Sequence, residues 1–64
     1  MRGYGRQVRD ILDANGCWFV RHGRGDHDIW RSPLTDRPFT VPVNLDSRHT
    51  ANKVLVDAGL PKSF

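Results

Sequence analysis

The chain has one cysteine, no glutamate and no long apolar run. Each shortage excludes something. Cys17 alone cannot close an internal disulfide, which argues against a secreted, bridge-stapled scaffold and for a reducing compartment. No stretch approaches the roughly 20 apolar residues that cross a bilayer. The opening MRGYGRQVRD carries neither the apolar core nor the cleavage site of a signal peptide. A cytoplasmic protein that does not enter a membrane is therefore expected. With 64 residues there is room for one domain, spanning 1–64. A chain this short buries only about 60% of the surface its unfolded form exposes, and such cores usually supply no more than roughly 3–5 kcal/mol of net stability.

What the chain does have is arginine. Ten basic residues face seven acids, for a formal net charge of +3. Eight of the ten are arginine, and every acid is aspartate. The guanidinium is a planar fork that grips a phosphate at two points, whereas a lysine is a point charge. A small arginine-rich domain suits an anionic partner, either nucleic acid or an acidic protein. Charge kept only for solubility gives the same totals, so composition leaves both open.

The apolar pattern sets the element order. In YGRQVRDILDANG, the residues Tyr4, Val8, Ile11 and Leu12 recur at helical spacing, and Asn15-Gly16 stops the helix. CWFVRH is aromatic and β-branched and reads as a strand. GRGD is a turn in which Gly23 and Gly25 can take positive φ, and HDIWRS returns as a second strand. PFTVPV reads as a third, with Phe39, Val41 and Val43 on one face. Pro42 places it at an edge or ends it. TANKVLVDAG reads as a second helix capped by Thr50, with Ala51, Val54, Leu55 and Ala58 inward and Gly59 as its stop. Leu60 is expected to fold back on the core. The expected fold class is α+β in the order α-β-β-β-α, with two helices on one face of a three-stranded antiparallel sheet. Trp18 and Trp30 share a strand parity, and the sequence does not say which face they take.

The segment GRGDHDIW concentrates the candidate chemistry. Its Arg-Gly-Asp, residues 24–26, is an adhesion tripeptide only outside a cell, where nothing places this chain. Metal binding is disfavoured, because no ligand pair has zinc spacing and the strand turns Asp26 and Asp28 away from His27. Phosphodiester chemistry remains. Histidine has an unperturbed pKa of ~6.5 and moves protons near neutral pH. RNA supplies its own 2′-hydroxyl nucleophile, so a cleaving protein needs a base and cations for the phosphate. His27 follows the glycine turn, with Arg21, Arg24 and Arg31 near it in sequence. A histidine that merely starts a strand fits the same residues, and both readings stay open.

Taken in order, GCWFVRHGRGDHDIW, FTVPVN and TANKVLVDAGL resemble the HicA-type (YcfA-like) mRNA interferases, toxins of type II toxin–antitoxin systems. The resemblance runs over nearly the whole chain. Thr50, Val54, Leu55, Ala58, Gly59 and Leu60 match the family's closing helix. It implies a fold like the double-stranded RNA-binding domain and a metal-independent endoribonuclease with no cofactor. It implies an mRNA substrate and a HicB-type antitoxin as partner. The family's essential histidine falls on His27. Arg21, Arg24, Gly25, Arg31 and Lys53 are the expected RNA and phosphate contacts, with Gly23 and Asp26 orienting the loop. Two positions depart from the family: Asp26 replaces the usual serine, and Asn44 stands where many members have a histidine, leaving His49 as a weak substitute. The rival expectation is a module of the same fold that binds RNA or a partner without cleaving anything.

Overall fold

The structure is a computed structural model and describes residues 3–64. Met1 and Arg2, the first positions of the 1–64 unit, lie outside the described residues. The elements are α1 (Gly5–Ala14), β1 (Trp18–His22), β2 (His27–Arg31), β3 (Phe39–Pro42) and α2 (Arg48–Asp57). The strands form one antiparallel sheet in the order β1-β2-β3. This is the expected α-β-β-β-α arrangement, a small α+β fold.

α1 buries the apolar stripe read from its sequence. Val8 and Leu12 are fully buried, with Tyr4 and Ile11 packed at the margin. The helix stops because Gly16 takes φ 82°. Gly16 N–H then donates to the Asp13 carbonyl at 3.1 Å and Cys17 N–H to the Leu12 carbonyl at 2.9 Å. This paired closure satisfies two carbonyls that a helix end otherwise leaves open. α2 ends the same way. Gly59 sits at φ 84°, its N–H donates to the Val56 carbonyl at 2.9 Å, and Leu60 N–H donates to the Leu55 carbonyl at 2.8 Å. Leu60 packs against the core, as expected.

The start of α2 corrects the sequence reading. The cap is Ser47, not Thr50. Ser47 has the extended backbone a cap requires, and its hydroxyl accepts the His49 N–H at 3.1 Å. Thr50 lies inside the first turn. Ser47→Ala is expected to cost about 1 kcal/mol, measurable as a lower midpoint in urea unfolding with an unchanged slope.

The core is one cluster joining both helices to one face of the sheet through Trp30, Phe39 and Val41. Val43 has the right parity but lies past the end of β3 and is 46% exposed. Leu45, in the loop between β3 and α2, fills the core position instead at 1% exposure. The loop after β2 is tied down by Ser32, whose buried hydroxyl donates to the Ala58 carbonyl at 2.7 Å and accepts Leu34 N–H at 3.1 Å.

β1 is different. All five of its residues are exposed. A bulge at Val20 shifts its register, so that Trp18 faces Arg31 and Phe19 faces Trp30 on one side of it, and Arg21 faces Ile29 and His22 faces Asp28 on the other. The two tryptophans therefore lie on opposite faces of the sheet, against the shared parity read from sequence. Trp30 is buried on the helix side, whereas Trp18 is 48% exposed on the other.

Candidate functional site

The β1–β2 hairpin positions His27. Gly23 N–H donates to the His27 carbonyl at 2.7 Å and closes the loop over Arg24, Gly25 and Asp26. Only Gly25 takes positive φ, at 65°; Gly23 does not. Gly23 is needed for space, since a Cβ there would meet the His27 carbonyl and the Ile29 side chain at 3.1 Å. A Cβ at Gly25 would meet nothing, so its demand is purely conformational. Gly25→Ala should cost about 1–2 kcal/mol from the left-handed backbone alone, readable by thermal unfolding.

His27 is exposed and projects from the sheet face opposite the helices. Its Nδ1 lies 3.3 Å from the Arg24 carbonyl. A carbonyl only accepts, so a hydrogen bond here puts a proton on Nδ1, and in the neutral ring the lone pair is then on Nε2. His27 also borders a groove of about 760 Å³ that runs between the free edge of β3 and α2. Lys53 and Arg37 bring positive charge to the groove, and Thr40 and Thr50 bring hydroxyls. Lys53 Nζ is 3.3 Å from Asp57 Oδ2 one helical turn away, with both side chains well exposed. Such exposed pairs are worth only about 0.3–0.5 kcal/mol, so an arriving phosphate can displace the carboxylate.

The β3 edge presents backbone to this groove. Val43 N–H donates to the Asp26 carbonyl at 2.7 Å, which fixes the alternation of the ladder. Phe39 and Val41 then bond to β2, while Thr40 and Pro42 turn their backbone outward. Pro42 has no N–H to lose, and with Pro38 it leaves Thr40 as the one outward amide along that stretch. Edges blunted in this way resist pairing with another strand.

The other expected contacts do not all converge. Arg24 supplies its carbonyl to His27 from the loop. Arg21 and Arg31 share the face of His27, but Arg31 is four residues along β2, about 13 Å away. Its guanidinium donates to the Asp36 carbonyl at 3.3 Å. Asp26 is exposed in the loop, and Asp28 is turned to the helix side, away from His27. Among the described residues no three metal-ligating side chains come together. His49 lines a smaller groove with Asn52 and Lys62 that shares Lys53, Val56 and Asp57 with the first but does not include His27. Asn44 lies exposed in the loop after β3.

Two features escaped the sequence. Arg37 and Thr50 reach the His27 groove only through tertiary packing. His22 Nδ1 lies 2.8 Å from Asp28 Oδ1, on the helix side of the sheet. The two residues face each other where no backbone bonds link their strands, the pairing that brings side chains closest. The Phe19 ring flanks His22 edge-on at 5.2 Å. Comparisons with protein-family models, with curated proteins and with solved structures each returned no match.

Proposed function

We propose that the chain is an endoribonuclease acting on mRNA without a metal, the toxin of a toxin–antitoxin pair, with His27 as its proton carrier. The observation that carries this reading is the exposed His27 ring, its Nδ1 against the Arg24 carbonyl, at the border of a groove to which Lys53 and Arg37 contribute. The motif resemblance to HicA-type toxins supports the same residue and supplies the expected partner, a HicB-type antitoxin.

The step uses only groups that RNA and this chain bring. Nε2 of His27 takes the proton of a 2′-hydroxyl. The 2′-oxygen bonds to the adjacent phosphorus, and the bond from phosphorus to the 5′-oxygen breaks. The imidazolium returns its proton to that leaving oxygen. The products are a 2′,3′-cyclic phosphate and a 5′-hydroxyl. In this reading Lys53 and Arg37, which line the groove, act with Arg24 from the loop to stabilise the negative charge that builds on the non-bridging phosphoryl oxygens. Expression of the chain alone should arrest growth and leave cleaved transcripts, and co-expression of its antitoxin should relieve both. Normal growth with intact transcripts would remove this reading.

A second reading of the proton carrier rests on His22, which has a carboxylate at 2.8 Å. It lies on β1, the sheet edge opposite the β3–α2 groove, and no arginine side chain of the sheet shares its face. Cleavage that survives loss of His27 but not of His22 would favour it.

A further inference from the structure

Among the described residues no helix covers the sheet face opposite α1 and α2, and its composition is one-sided. Strand parity and the measured register place Trp18, Arg21, His27, Ile29, Arg31 and Thr40 on it. No acidic side chain of the three strands is among them; Asp28, the one strand carboxylate, is turned to the helix side. The Val20 bulge creates this set. Trp18 and Arg21 are three residues apart and would face opposite ways in a regular strand, but the extra residue brings them to the same side. Trp18 then stands directly opposite Arg31, and Arg21 opposite Ile29.

We propose that this face is a binding track for single-stranded RNA, running from His27 past Arg21 and Ile29 to a base-stacking platform at Trp18 and Arg31. The inference rests on the proposed ribonuclease reading for its ligand and adds where the rest of the strand lies. Three arguments select RNA. The fixed charges that the strands bring to this face are both arginines, Arg21 and Arg31, which matches a phosphate backbone. Trp18 is an exposed aromatic beside an arginine, the pairing on which unpaired bases stack. The track is continuous with His27, and its length of about 13 Å spans about four stacked nucleotides at ~3.4 Å each. A duplex hides its bases and would gain little from an indole, so the ligand is single-stranded.

The bulge supplies an internal control. Phe19 is the next residue, almost as exposed as Trp18 at 44%, but it faces the helix side. The test is binding of a fluorescent ten-nucleotide RNA, made uncleavable by 2′-O-methylation, read by anisotropy at several salt concentrations. Trp18→Ala should weaken binding roughly 5- to 100-fold, the loss of one stacked base. Trp18→Phe should restore most of it, and Phe19→Ala should bind like the wild type. Arg31→Ala should lower the salt dependence by about 0.7 in log–log slope, one phosphate contact fewer. Equal losses from Trp18→Ala and Phe19→Ala, or none from either, would overturn the track. Unchanged RNA binding in Trp18→Ala together with lost antitoxin binding would assign the face to the protein partner instead. Because this assay needs no cleavage, its outcome is separate from that of the ribonuclease reading. Binding that depends on Trp18 without any cleavage keeps the track and removes the enzyme, and cleavage indifferent to Trp18 does the reverse.

Discussion

His27→Ala should abolish RNA cleavage while leaving the protein folded. The ring is exposed and belongs to no part of the core, and its contact beyond its own strand neighbours is to the Arg24 carbonyl at 3.3 Å. Surface substitutions of this kind usually change stability by no more than about 0.5 kcal/mol. A positioned proton carrier, by contrast, contributes about 10²–10⁴-fold in rate. A strongly selective effect is therefore expected. Circular dichroism and urea unfolding should match the wild type, while the rate of cleavage falls by at least two orders of magnitude. The same substitution should remove toxicity on expression. Full activity in the variant would mean that the ring is a strand-start residue with no part in the chemistry.

Leu55→Ala should remove most of the protein's stability at 25 °C. Leu55 is fully buried in α2, within the cluster that joins both helices to Trp30, Phe39 and Val41. Leucine-to-alanine changes at such sites cost about 2–5 kcal/mol. A domain of this length has roughly 3–5 kcal/mol in total, so one cavity consumes most of it. The neighbouring Val56 is 49% exposed, and Val56→Ala should change stability by less than about 1 kcal/mol. Guanidinium unfolding of the two variants side by side measures the contrast, and similar midpoints would mean that the core is not centred on Leu55.

The parts of this fold legible in the sequence are those governed by local rules. The α1 stripe follows the helical period, and Gly16 and Gly59 mark their stops because only glycine takes the left-handed position cheaply. Pro42 announces the end of β3 because it cannot donate to a ladder. The parts that were not legible depend on register and packing. Nothing local in CWFVRH reveals the bulge at Val20, and without it Trp18 and Trp30 cannot be assigned to faces. Val43 and Leu45 exchange places because the strand ends one residue before Val43. Ser47 and Thr50 are both good capping residues, and the backbone at Ser47 decides between them. His27 could be nominated from its glycine turn, but its groove partners Arg37 and Thr50 come from a loop and a helix that meet it only in the folded chain. The His22–Asp28 pair is equally invisible until the hairpin register is known.

The face assignments also separate two roles that charge alone runs together. Lys53 and Arg37 line the groove that His27 borders, where charge would build in the proposed reaction. Arg31 lies at the far end of β2, where it can hold a strand but not a reacting phosphate. Arg31→Ala should therefore weaken binding without slowing bound substrate, whereas Lys53→Ala should lower the rate of bound substrate. Single-turnover kinetics at saturating protein separate the two effects, and equal effects of both substitutions on the bound rate would contradict the division.

The central claim is that His27 cleaves RNA through its own 2′-hydroxyl without a metal. The most direct measurement is end analysis of a single-stranded RNA incubated with the purified chain in excess EDTA. Mass spectrometry should find 2′,3′-cyclic phosphate and 5′-hydroxyl ends from the wild type, and intact RNA from His27→Ala. RNA that the wild type binds but leaves whole, or cleavage that EDTA stops, would contradict the claim.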